Sequence, residues 1–218
     1  MSGTKGRTLV HDQLSDRVYA LLLERIVQGE LKSGERLVID QIASELRTSI
    51  TPVRTALVRL SQEGLLVHAP YQGWTVRTFN RDEIIEIYHV RAALESLAIE
   101  QCCSKVNEEY LREFDRCQQE GESYLANGDL DGYQRYNDEF HDLILSVADN
   151  QVLKTLMSSL RNQVRLLSSH TIREPGRPQI AVREHAQMIE AIKNKACERA
   201  AKLMRDHILS ALDAALRR

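Results

Sequence analysis

Cysteine is scarce in this chain, and the four that occur, Cys102, Cys103, Cys117 and Cys197, include no C-x-x-C spacing. They do not form the cysteine framework of a small secreted fold, so a reducing cytoplasm is the simplest setting. No apolar run approaches the roughly 20 residues that cross a bilayer, so no membrane span is expected. The opening MSGTKGRTLVHDQLSD lacks the apolar core of a secretory leader. Internal repeats and low-complexity tracts are missing as well. Net charge is only −2, which by itself points away from a nucleic-acid binder. That average conceals an asymmetry. Residues 1–80 hold 10 Lys and Arg against 8 Asp and Glu, while residues 81–218 hold 19 against 23. The difference permits a DNA-binding N-terminal part without demanding one.

What is present fits a globular protein of one large or two modest domains: 218 residues, 43% hydrophobic and 28% charged. Leu14, Val18, Leu21, Leu22 and Ile26 recur at helical spacing over 11–29, with Gly29 as a stop. A short helix follows through DQIASELR. A third runs through TSITPVRTALVRLSQEGLL, with Ser49 as N-cap, Pro52 in the first turn and Gly64 at the end. LLVHA and WTVRTF read as two strands joined by PYQG. Beyond Asn80 the pattern is helical throughout, with helices near 82–103, 107–127, 129–149, 151–171, 178–194 and 195–216. The expected fold class is therefore mainly α. A winged helix-turn-helix (residues 1–80) precedes an all-helical bundle domain (residues 81–218).

Three short helices and a hairpin give a third helix narrow enough for a major groove, held by the first two. Its N-terminus brings backbone N–H groups, the Ser49 and Thr51 hydroxyls and Arg54 towards phosphates and base edges. The hairpin tip around Gln72 and Gly73 can lie against the neighbouring groove. The stretch GERLVIDQIASELRTSITPVRTALVRLSQEGLLVHAPYQGWTVRTF, residues 34–79, resembles the DNA-binding head of GntR-family bacterial transcription regulators. The shared pattern is GERL, IA..L, S.TPVR.AL.RL..EGL and G..V at the family's spacing. Relatives often carry Arg at the positions of Asp40 and Ile50 and Gly at that of Arg47. The usual operator therefore does not carry over, and Arg47 supplies some of the missing charge. Arg59 reads as structural or as a peripheral phosphate contact.

In the second half, NDEFH places Asn137 and His141 one turn apart beside the apolar stripe Phe140, Leu143, Ile144 and Val147. They are either polar residues at a helix edge or two ligands facing a cavity. His185 and His207 lie on the last two helices, which a short turn at KNKA makes an antiparallel pair. Three imidazoles and one amide oxygen suit a divalent Zn²⁺, Ni²⁺ or Mn²⁺. IYHVRAALESLAIE, NDEFHDLILSVADN, REHAQMIEAIKN and AAKLMRDHI resemble the FCD ligand-sensing domain of the FadR-like branch, in its shorter, VanR-like six-helix form. That resemblance implies a metal held by Asn137, His141, His185 and His207, with Asn137 standing where Asp is common. Asp138 is expected to point elsewhere, about 100° around the helix. The resemblance further implies a small organic acid beside the metal, and Arg91, Arg161 and Arg165 are candidates to bind it. The function expected is a cytoplasmic repressor, binding a palindromic double-stranded DNA operator as a homodimer and modulated by a carboxylate metabolite. Two rivals are a regulator for which the metal is the signal and a metal-dependent enzyme using Asp138, Glu139 or Glu184 as base.

Overall fold

The computed structural model describes residues 4–71, 73–172 and 174–217, with side chains except at residues 4–12, 169 and 170. The backbone divides into two compact units, Met1–Phe79 and Asn80–Arg218.

The first unit contains α1 (Thr4–Val27), β1 (Arg36–Leu37), α2 (Ile39–Glu45), α3 (Ile50–Gln62), β2 (Leu66–Ala69) and β3 (Gly73–Val76). Val18, Leu22 and Ile26 of α1 and Val53, Leu57 and Leu60 of α3 are buried together, as their helical spacing requires. Gly64 ends α3 in the left-handed region (φ 74), and Leu65 N–H returns to the Leu60 carbonyl at 2.9 Å. Two details differ from the sequence reading. The sheet has a third strand, β1, which pairs antiparallel with β3 to give the order β1-β3-β2. Ser49 occupies the N-cap position of α3, but its side chain makes no capping hydrogen bond.

The second unit is built from six helices among the described residues: α4 (Arg81–Lys105), α5 (Glu108–Ala126), α6 (Leu130–Ala148), α7 (Gln151–Thr171), α8 (Arg177–Lys193) and α9 (Cys197–Ala215). A capping box starts α4: Asn80 Oδ1 accepts from Glu83 N–H and a Glu83 carboxylate oxygen accepts from Asn80 N–H, both at 2.9 Å. Asn107 and Asp129 cap α5 and α6 in the same side-chain-to-backbone manner. Along its length α4 packs on α9 and α6, while α5 lies against α6 and α8. Gly121 of α5 permits one close approach: a β-carbon there would fall 2.6 Å from the Tyr136 ring of α6. That ring is thereby brought to the centre of the bundle, where it is fully buried.

Candidate DNA-reading face and metal centre

On the first unit, the outer face of α3 is uncovered and mixes polar residues with the exposed Ile50 and Val58. Ser49, Thr51 and Arg54 are exposed, and so is Arg47 just before the helix. The ion pairs of this unit engage Arg25 and Arg59, and Arg47 and Arg54 stand outside them among the described residues. Because Ser49 is not spent on capping, its hydroxyl is available beside the free N–H groups of the helix start. Arg47 is held at φ 50, a left-handed conformation that disfavours residues with a β-carbon. Arg59 is structural: it stacks 3.7 Å above the Tyr19 ring centroid and pairs with Asp16 and Glu63. At the wing, Gly73 takes φ 80 at the start of β3, and Gln72 lies outside the described residues. The Arg36 guanidinium lies beside Gly73, a cation at the wing that the strand missed in the sequence had concealed.

In the second unit, α6, α8 and α9 bring His141, His185 and His207 together, with one nitrogen of each within 4.8 Å of the others. All three are buried. The hydrogen bonds around them fix the tautomers of two rings. The Gln118 amide donates to the Val182 carbonyl (3.2 Å) and the Glu122 carboxylate (2.9 Å), so its oxygen is free to accept the Tyr136 O–H at 3.0 Å. Tyr136 oxygen then accepts from His185 Nδ1–H at 2.8 Å. His207 Nδ1–H donates to the Glu184 carboxylate at 2.7 Å, and that carboxylate is also held by Arg177 at 2.9 Å. Both Nε2 atoms are left as lone-pair acceptors, yet they face one another at 3.4 Å with no proton to share.

That separation matches the edge of a tetrahedron about a metal with bonds of roughly 2.0–2.1 Å, which is about 3.3 Å. His141 adds a second indication. Its Nδ1 touches a carboxylate oxygen of Glu95, but neither ring nitrogen has a well-directed hydrogen bond among the described residues. Burial pushes the His185 and His207 imidazoles well below their ordinary range, and the neighbouring imidazoles and Arg177 push in the same direction. Both rings are therefore neutral, the form that ligates a metal. The residues present fit a divalent cation held by three imidazoles. Asn137 is buried and lines the same small cavity as His141.

The three arginines expected to take an organic acid are already paired. Arg91 is buried, with Nε 2.6 Å from a Glu95 oxygen. Burial alone would raise the Glu95 carboxyl, but Arg91 and His141 hold it well below the usual carboxylate range. Arg161 makes a bidentate contact with Asp142, and Arg165 lies 3.1 Å from Asp138. Arg161 and Arg165 thus form partly exposed ion pairs between α7 and α6. These three pairs line a cavity of about 50 Å³ next to His141. The Asp138 carboxylate faces Arg165 on α7 and stands outside the cluster of three imidazoles, although the cavity extends around α6 to reach it. The carboxylates considered as a general base are committed or remote, since Asp138 pairs with Arg165, Glu184 with Arg177 and His207, and Glu139 is exposed.

Sequence reasoning missed Glu95, Tyr136, Gln118 and Arg177. Glu95 was findable from its i,i+4 spacing to Arg91. Arg177 sat in a segment, REPGRP, that reads only as a turn, although it is buried at the start of α8.

Comparisons with known proteins agree with this division. Residues 14–76 match the bacterial regulatory proteins of the gntR family, and residues 86–210 match the FCD domain. The HTH-type transcriptional regulator YdhC of Bacillus subtilis (strain 168) is 29% identical over 193 residues, covering 88% of this chain and 84% of that protein. The gluconate operon transcriptional repressor of the same organism is 27% identical over 184 residues, covering 82% and 75%. Among solved structures, Escherichia coli McbR/YncC superposes with a TM-score of 0.79 at 24% identity, covering 93% of this chain and 96% of that one. These relatives are transcription regulators, not enzymes.

Proposed function

Because this chain belongs to the GntR family of bacterial regulatory proteins and carries an FCD domain behind its winged head, it is a DNA-binding transcription regulator, and we propose that it is a cytoplasmic repressor controlled through a metal-anchored effector pocket. The observation that carries this reading is the convergence of His141, His185 and His207, with two Nε2 acceptors facing each other and no donor between them. Once bound, a divalent cation supplies open coordination positions for a carboxylate. Asn137 contributes a neutral oxygen, so the ligand set leaves the ion's charge uncompensated and favourable to an anion. Arg91, Arg161 and Arg165 then receive the acid by exchanging their present carboxylate partners for it. Arg47, Ser49, Thr51 and Arg54 contact the operator, with Gln72 and Gly73 at the wing. One recognition helix reads only a few base pairs, which favours a homodimer on a palindrome with half-sites about one helical turn apart. Repression is suggested by the similarity to the gluconate operon repressor.

A second reading, in which the metal itself is the signal, is favoured by the size of the cavity: about 50 Å³ holds water molecules, not a metabolite, unless α7 moves. Operator binding titrated with Zn²⁺, Ni²⁺ or Mn²⁺, with and without small organic acids, separates the two. The first reading expects an acid to change affinity only when metal is bound, and expects His141→Ala to abolish that response while leaving effector-free affinity nearly unchanged. A response to metal alone, unaltered by any acid, transfers the assignment to the second reading. Negligible metal uptake with three such ions would overturn both.

A further inference from the structure

None of the cysteines takes part in the sites described so far, yet two of them meet. Cys103 lies in the last turn of α4 and Cys197 is the first residue of α9, 94 positions later. A disulfide joins them, with Cα atoms 5.4 Å apart. Cys102 and Cys117 are buried and free. Burial pushes both of their thiols up to about 12, which leaves them unreactive near neutrality.

The two joined cysteines occupy different settings. Cys103 is fully buried, whereas Cys197 is partly exposed at the start of a 19-residue helix. The unpaired N–H groups and positive dipole end of that helix favour a thiolate at this position. A cation stands at the junction of the two helices. Lys195, held at φ 54, turns its ammonium back to donate to the carbonyls of Cys103 (3.2 Å) and Val106 (2.9 Å). A partly exposed thiol at a helix N-terminus, with a resolving cysteine within bonding reach, is the arrangement that senses oxidants.

We propose that Cys103 and Cys197 form a reversible, peroxide-responsive thiol pair that fastens the end of α4 to the start of α9 when oxidised. In the first step the Cys197 thiolate attacks one oxygen of hydrogen peroxide. An S–O bond forms, the O–O bond breaks, and the departing hydroxide takes a proton to become water. In the second step the Cys103 sulfur attacks the sulfenyl sulfur, closing the S–S bond. The S–O bond breaks, and the expelled hydroxide leaves as a second water with the Cys103 proton. Two thiols are oxidised and one peroxide is reduced to two waters. A dithiol reductant reverses the change by exchange through a mixed disulfide.

The place of the bond gives it leverage over the rest of the unit. Helices α4 and α9 pack along one another, and they carry Glu95 and His207 respectively. Fastening their ends fixes the register in which Glu95 meets His141 and His207 faces His185. The inference needs the DNA-binding activity but not the metal, so it is tested on chelated protein.

The full chain is reduced with dithiothreitol, desalted and exposed to hydrogen peroxide. Peptide mass mapping then follows the bond, and fluorescence anisotropy follows binding to an operator selected from random DNA. Peroxide is expected to close the Cys103–Cys197 bond and dithiothreitol to reopen it in the folded protein. Operator affinity is expected to differ about fivefold or more between the two forms, the usual lower range of coupling between sites. Cys197→Ser should lose both the bond and the difference, and Cys117→Ser should keep both, with circular dichroism confirming that each variant is folded. A bond that dithiothreitol leaves intact, equal affinities of the two forms, or an undiminished response in Cys197→Ser each overturns the proposal.

Discussion

Replacing Arg91 by Met removes the cation from a pair whose side chains are only 5% and 4% exposed, leaving the buried Glu95 carboxylate with only the His141 imidazole beside it. Methionine keeps most of the apolar stem, so the loss is chiefly electrostatic. Breaking one side of a buried ion pair costs about 3–5 kcal/mol. In a protein of this size each kcal/mol moves the melting temperature by roughly 2–4 °C, so the transition of the second unit should fall by about 6–20 °C. Calorimetry of the chelated protein at neutral pH measures this without a contribution from bound metal. The double variant Arg91→Met with Glu95→Gln should recover more than half of the loss, because the amide carries no charge to strand. Arg161→Ala provides the contrast: its pair with Asp142 is nearly half exposed, and such a pair is worth at most about 1 kcal/mol. A loss below about 1 kcal/mol for Arg91→Met, with no recovery in the double variant, would refute the electrostatic weight assigned to this pair.

Tyr136→Phe removes the oxygen that accepts from His185 Nδ1–H and frees the ring to carry its proton on Nε2 instead. Zinc affinity measured against a competing chromophoric chelator should fall about 10–100-fold, and an unchanged affinity would show that the hydroxyl merely packs. Arg54→Ala should weaken operator binding by about 1–3 kcal/mol and flatten its salt dependence, with the melting of the second unit unaltered; equal affinity at fixed salt would make Arg54 a surface charge. Arg47→Gly relieves a left-handed residue and should raise the stability of the head by about 1 kcal/mol in urea unfolding, while weakening its grip on DNA. A drop in stability would mean that the arginine side chain anchors the turn.

The helices were legible because their signal is local: apolar periodicity and end-capping residues such as Asn80, Asn107 and Asp129 lie within a turn of the structure they specify. The two-residue strand β1 was not, since only its pairing with β3, 37 positions away at Leu37 and Trp74, makes it a strand. Ser49 shows the reverse case, a residue correctly placed at a cap whose hydroxyl is not used for one. The histidine centre was only half visible. Spacing within α6 put Asn137 and His141 on one side, but nothing local says that His185 and His207 turn towards them; the resemblance of the motifs supplied that. Tyr136 and Gln118 are invisible from sequence because their roles depend on which way an amide and a hydroxyl are oriented across three helices. The Cys103–Cys197 bond is equally silent, joining helix ends that only the packing of α4 on α9 brings together.

The length of α4 has a mechanical consequence. It is one uninterrupted rod of 25 residues, clamped at its first turn by the Asn80–Glu83 box and gripped in its middle by the Arg91–Glu95 pair. The grip at Glu95 and the cap at Asn80 are separated by about 22 Å of helix at 1.5 Å per residue. A tilt of about 5° around Glu95 therefore carries the cap through about 2 Å. The cap ends a stretch without regular secondary structure, residues 77–80, that leads from β3 into α4. A tilt too small to register at Glu95 is thus largest at the first turn of α4.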